Sequence, residues 1–162
     1  MRGYLNDCCK IELLASRIYQ HFAAQGNFPE RLRETFTQLA RDEEDHARQF
    51  DLALELPEGA LGDVKRVAWE RIAAGLDRIR AKFQDLHHEP CTAEQALKTA
   101  LQLEKDFIRI HLDNSLYIED QRIRQLFAGL ARADEEHLAT LREAIIWWNR
   151  RQELHSVPRS AG

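Results

Sequence analysis

Apolar positions along the chain recur every three to four residues in five stretches, with polar and charged residues filling the spaces between them. That period belongs to an α-helix with one buried face. The first stretch is predicted to be helical from about Asn6 to Gln25, with Asn6 or Asp7 as its cap and Gly26 beyond its end. Its inward stripe reads Leu5, Cys8, Glu12, Ala15, Tyr19 and Phe22. After Asn27-Phe28, Pro29 suits the first turn of a second helix that reaches Leu56 and stops at Pro57. So short a connection folds the two into an antiparallel hairpin. A loop, PEGALGD from Pro57 to Asp63, leads to a third helix over about Val64 to Leu86, with the stripe Val67, Ile72, Leu76, Ile79 and Phe83. This helix carries no inward acid and reads as a crossover. His87-His88-Glu89-Pro90 ends it, and the histidine pair reads as a solvated helix end in preference to a metal site. Thr92 and Gln95 form a capping-box pattern. They open a fourth helix to Ser115, with Leu97, Leu101, Glu104, Ile108 and His111 inward. The last helix spans about Glu119 to Glu153 and turns Leu126, Leu130, Asp134, His137, Leu141, Ile145 and Trp148 inward. Residues 1–155 form one helical domain in this reading, and Ser156 to Gly162 a disordered tail.

Acids and histidines interrupt these apolar stripes, and they do so twice in the same way. Leu39 to Phe50 reads LARDEEDHARQF, which puts Glu43 and His46 on the face shared by Phe36, Leu39, Ala40, Ala47, Phe50 and Leu54. Leu130 to Leu141 reads LARADEEHLATL, with Asp134 and His137 in the matching places. A carboxylate in an apolar core is costly unless it is paired or binds a metal. The two hairpins also keep register. Glu12 to Glu104 and Tyr19 to His111 are both 92 residues apart, and Glu43 to Asp134 and His46 to His137 are both 91. Packed face to face, the hairpins bring four carboxylates and two imidazoles together, a donor set for two metal ions. Four ionised carboxylates balance two divalent cations, and mixed oxygen and imidazole donors suit iron or manganese, and also zinc. The bland alternative pairs these acids at the surface with Arg41, Arg48 or Arg132. The repeated spacing weighs against it.

The remaining composition narrows the picture. The chain has 162 residues and a formal net charge of -4, with both signs interspersed and no basic stripe, so a nucleic-acid surface is not expected. No apolar run reaches the length of a membrane span, so no membrane role is expected, and the first residues lack the apolar core of a signal peptide. Cys8, Cys9 and Cys91 make no disulfide framework, which points to a cytoplasmic protein. Cys8 reads as a packed core residue, and a redox role for Cys8 and Cys9 stays open. Only one of the adjacent Trp147 and Trp148 is expected to face the core, leaving the other for a dimer contact or plain exposure.

At these residues the sequence resembles the ferritin-like superfamily, and within it the rubrerythrin and bacterioferritin branch. The resemblance covers about Leu5 to Trp148. It implies an all-α, ferritin-like four-helix bundle made of two antiparallel hairpins joined by a long crossover that carries an extra helix. It also implies two iron ions per chain. The family pattern falls on Glu12, on Glu43 with His46, on Glu104, and on Asp134 with His137. In the family the carboxylates of the two acid-x-x-His motifs bridge the metals and each histidine ligates one. Tyr19 matches a tyrosine often found beside the site and is the candidate catalytic residue; a plain core tyrosine is the other reading.

Four departures stand out. Asp134 replaces the family's glutamate. His111 sits where the pattern of the first hairpin has Tyr19, as an extra ligand, a hydrogen-bond donor or a core histidine. Phe107 stands where rubrerythrins carry an additional glutamate. There is no pair of Cys-x-x-Cys motifs, so an electron donor such as a separate rubredoxin-type protein is expected, and with Met1 the only methionine no haem is expected. The resemblance implies a homodimer and a diiron oxidoreductase reducing hydrogen peroxide or dioxygen. A ferroxidase that handles iron and a structural metal-binding bundle are the alternatives.

Overall fold

The computed structural model describes residues 1–57, 63–86 and 91–156. Five helices account for almost all of them: α1 (Arg2–Ala23), α2 (Glu30–Leu54), α3 (Arg66–Asp85), α4 (Ala93–Ser115) and α5 (Gln121–Ser156). There is no strand among the described residues, only one isolated bridge between Val64 and Ile118. The protein is an all-α ferritin-like bundle. Most of the PEGALGD loop, the His87-His88 pair and residues 157–162 lie outside the described residues.

The helix α1 packs along α2, and α4 along α5, as two hairpins. The first is pinned at its open end by Arg2, whose guanidinium donates to the carbonyls of Leu54 and Leu56, both at 2.7 Å. The helix α3 lies mainly on α1 and more lightly on α4. It comes close because of Gly75, where a Cβ would sit 3.0 Å from Ile110 Cδ1 and 3.5 Å from Ile11 Cδ1. Its start is tied to the α4–α5 turn by the bond from Lys65 N to Tyr117 O.

Three expectations are corrected. The first helix begins at Arg2, not Asn6, and neither Asn6 nor Asp7 caps it. Tyr4 and Leu5 are fully buried, and the area they remove from water carries the helix past the polar residues. Val67 is exposed and Ala68 takes the inward place on α3, a shift of one residue around the helix. Trp147 and Trp148 both pack partly against the core, and Arg31 stacks over Trp147 at 5.1 Å. The capping box of α4 is present, with Gln95 N donating to Thr92 Oγ1 at 3.2 Å and Thr92 N donating to Gln95 Oε1 at 2.8 Å.

Two aromatic clusters fill the bundle on either side of its middle. One is built on Phe36, with Phe22, Phe28 and Tyr19 around it. The other is built on Phe127, touched by Tyr4, Phe50 and His111. The acids and histidines lie between them.

Candidate metal centre

The stripes that carry Glu12, Glu43 with His46, Glu104 with His111, and Asp134 with His137 all point into this middle layer. All seven side chains are buried, the acids completely and the histidines to within 6% of full burial. Among the described residues none of the four acids is paired with an arginine; Arg48 pairs instead with Asp45. The surface ion-pair alternative therefore falls.

The donor atoms form two groups, each lying within 4.8 Å of one another. One group is Glu43, Glu104, Asp134 and His137; the other is Glu12, Glu43 and His46. Glu43 belongs to both, while Asp134 belongs to one. The imidazoles face the acids through Nδ1. His46 Nδ1 is 3.2 Å from Glu43 Oε2 and 3.9 Å from Glu12 Oε2. His137 Nδ1 is 3.2 Å from Glu104 Oε2 and 3.4 Å from Glu43 Oε1.

Tyr19 and His111 do the same work in mirror fashion. The Tyr19 hydroxyl donates to Glu104 Oε1 at 2.5 Å, and His111 Nε2 lies 3.2 Å from Glu12 Oε1. Each ties its own hairpin to the acid of the other. The imidazole has a second nitrogen, and Nδ1 of His111 reaches Asp134 Oδ2 at 2.7 Å. That contact occupies one oxygen of the shorter acid. With both nitrogens facing carboxylates, His111 is placed as a support for two acids, outside both donor groups.

Electrostatics follow from this packing. Burial pushes the Glu12 carboxyl up to about 8 and the Glu104 carboxyl up to about 7, Glu104 with added repulsion from Glu43. Glu43 is also penalised by burial, but the close approach of His137, His46 and Glu12 outweighs it and holds the group well below the usual carboxylate range. Burial disfavours charge on the histidines, yet the adjoining acids prevail. His46 is raised, and His111 and His137 reach about 10 and about 11. Burial and the charge of Glu104 push Tyr19 far above an ordinary phenol, so it keeps its proton and acts as a fixed donor.

The donor set fits metal ions. Glu12 Oε2, Glu43 Oε1 and Asp134 Oδ1 are buried without a hydrogen-bond partner. Such atoms are costly unless something binds them. Helices α1 and α4 supply one acid each, and α2 and α5 supply an acid-x-x-His each. This is the arrangement that builds dinuclear carboxylate sites inside four-helix bundles.

Sequence reasoning did not find Asp42, which sits on the flank of the α2 stripe with Oδ2 3.4 Å from His137 Nε2. Its only signal is its place four residues before His46. Nor did it find Asn114, fully buried one turn beyond His111 with both amide atoms unpartnered. Phe107 is buried with its ring 6.5 Å from that of His111, so an apolar side chain fills that turn of α4.

Fold and cluster together define a ferritin-like bundle with an internal carboxylate and imidazole site. The chain matches the rubrerythrin family over residues 4–145, and it belongs to that family. Among curated proteins and solved structures, none matches the chain.

Proposed function

We propose that the protein is a non-haem diiron oxidoreductase of rubrerythrin type that reduces hydrogen peroxide, with Glu12, Glu43, His46, Glu104, Asp134 and His137 holding two iron ions. The observation that carries this reading is Glu43, shared by two groups of buried donors that each have room for one cation. These six residues would hold two iron(II) ions, which when bound would provide two electrons; with two protons that balances the reduction of hydrogen peroxide to two waters. Two electrons take hydrogen peroxide all the way to water but take dioxygen only as far as hydrogen peroxide, so the choice of oxidant is the point to test.

The protein's own residues prepare this chemistry. The two aromatic clusters exclude water above and below the site, so the charges within it interact strongly. Tyr19 holds Glu104 through a donated hydrogen bond and keeps its phenolic proton close to the acids. His111 holds Glu12 and Asp134 together. Among the described residues no helix is long and apolar enough to cross a membrane. A cytoplasmic homodimer served by a separate electron donor completes the proposal, because the three cysteines include no Cys-x-x-Cys pair.

A second reading, oxidation of iron as cargo, draws on the groove between α2 and α5. There Asp42, Asp45 and Glu136 surround the outer edges of His46 and His137. Stopped-flow mixing of the anaerobic ferrous protein with each oxidant at equal concentration separates the two. Faster oxidation by hydrogen peroxide supports the peroxidase; faster oxidation by dioxygen gives the site to iron oxidation.

A further inference from the structure

The 91-residue offset that matches Glu43 to Asp134 and His46 to His137 can be carried to the residues behind the histidines. The groove between α2 and α5 is lined by matched pairs, among them His46 with His137, Asp45 with Glu136, and Asp42 with Ala133. The first two pairs conserve chemical character. The third does not, because the carboxylate of Asp42 faces a methyl group at its counterpart.

Asp42 has a specific target. Its Oδ2 lies 3.4 Å from His137 Nε2, the outward nitrogen, while Nδ1 faces Glu104 and Glu43. Its Oδ1 accepts a hydrogen bond from Gln38 Nε2 at 2.8 Å, which orients the carboxylate. The counterpart of Gln38 at the same offset is Gly129, where a Cβ would meet nothing within 4 Å. A two-residue support thus stands behind His137, while the matched positions Ala133 and Gly129 carry no polar side chain to reach His46. Among the described residues no carboxylate pairs with the outward nitrogen of His46.

A carboxylate on the far nitrogen of a metal-binding imidazole fixes its tautomer and ring orientation and makes the near nitrogen more basic. With the Asp42 carboxylate beside its Nε2, His137 is favoured in the tautomer that presents Nδ1 as a lone pair. His46 must fix its tautomer without that help. We infer that Asp42 is a positioning residue for His137, and that the lack of its counterpart at Ala133 makes the two metal positions unequal, with the His137 position binding a divalent cation more tightly. This rests on the reading of the cluster as a two-metal site.

Anaerobic titration of the metal-free protein with cobalt(II), followed by visible absorption and calorimetry, tests it. The protein should take up two ions in steps separated by about 10- to 100-fold in affinity. Asp42→Ala should weaken the tighter step by a similar factor and bring the two together. Asp42→Asn keeps an acceptor oxygen and should retain most of the separation. Asp77→Ala removes an exposed acid of α3 that lies outside this groove and should leave the separation unchanged. Ala133→Asp should tighten the weaker step about 10-fold; if that variant does not fold, Asp42→Ala decides alone. Two equal steps, or a separation untouched by Asp42→Ala, would overturn the inference while leaving the two-metal reading intact. Uptake of fewer than two ions by the unaltered protein would sink both.

Discussion

Tyr19 and His111 occupy matching places in the two hairpins and bring different chemistry to them. The phenol holds one acid; the imidazole holds two. Tyr19→Phe leaves Glu104 Oε1 without its donor, and should cost about 1–3 kcal/mol of stability, read from denaturant unfolding. It should also slow oxidation of the ferrous protein by peroxide about 10- to 100-fold, read by stopped flow. The shared position of Glu43 gives a sharper contrast. Glu43→Ala should abolish binding of both metals, whereas His46→Ala should leave the group around His137 with one, as metal analysis of the purified variants would show. That these seven acids and histidines turn inward was legible in the sequence, because an acid or histidine in an apolar stripe breaks a 3.6-residue pattern and the break recurs at a fixed offset. Asp42 was not. Its target lies on another helix, and the offset that relates two hairpins does not say which side chains meet across them. Nor did the sequence show that Asp134 would turn one oxygen to His111.

Helices gave their faces to the sequence more readily than their ends. Asn6 and Asp7 look like caps, yet burial of Tyr4 and Leu5 carries α1 past them. At α4 the local signal and the packing agree, so the capping box holds. Thr92→Ala should therefore cost about 1 kcal/mol, seen as a lower unfolding midpoint with no loss of metal. The helix α3 contributes nothing to the donor groups, and its closeness to α1 and α4 depends on the missing side chain at Gly75. Gly75→Leu should destabilise by about 1–3 kcal/mol through overpacking against Ile110 and Ile11 while two metals still bind, a combination that thermal melts and metal analysis together would reveal.

Over the whole molecule, the buried charges make stability depend on pH in opposite senses with and without metal. In the metal-free protein Glu12 and Glu104 rise to about 8 and about 7, and His111 and His137 to about 10 and about 11. A folded-state value above the unfolded one means the folded chain holds extra protons. The stabilisation is then complete below the unfolded value and is lost as pH rises through the folded one. Glu43 runs the other way; its contribution is present above the ordinary carboxylate value and is lost only in acid. The melting temperature of the metal-free protein should accordingly fall as pH climbs from about 6.5 to about 10. Protein loaded with zinc(II) should gain relative to it over the same range, since metal binding requires the deprotonated ligands. Scanning calorimetry of both forms across that range checks the sign.

The matched hairpins have a consequence in terms of inheritance. Tyr19 meets Glu104, His111 meets Glu12, and His137 meets Glu43, so these contacts each join one hairpin to the other. A single hairpin doubled about a twofold axis would present a cluster of the same plan, and its two metal positions would then be identical by necessity. Linking the copies into one chain removes that necessity. Tyr19 against His111, Glu43 against Asp134 and Asp42 against Ala133 are places where the halves differ, and each difference touches a candidate ligand or the residue behind one. A symmetric dimer must spend every substitution twice; a chain that carries both halves can let one grip and the other let go.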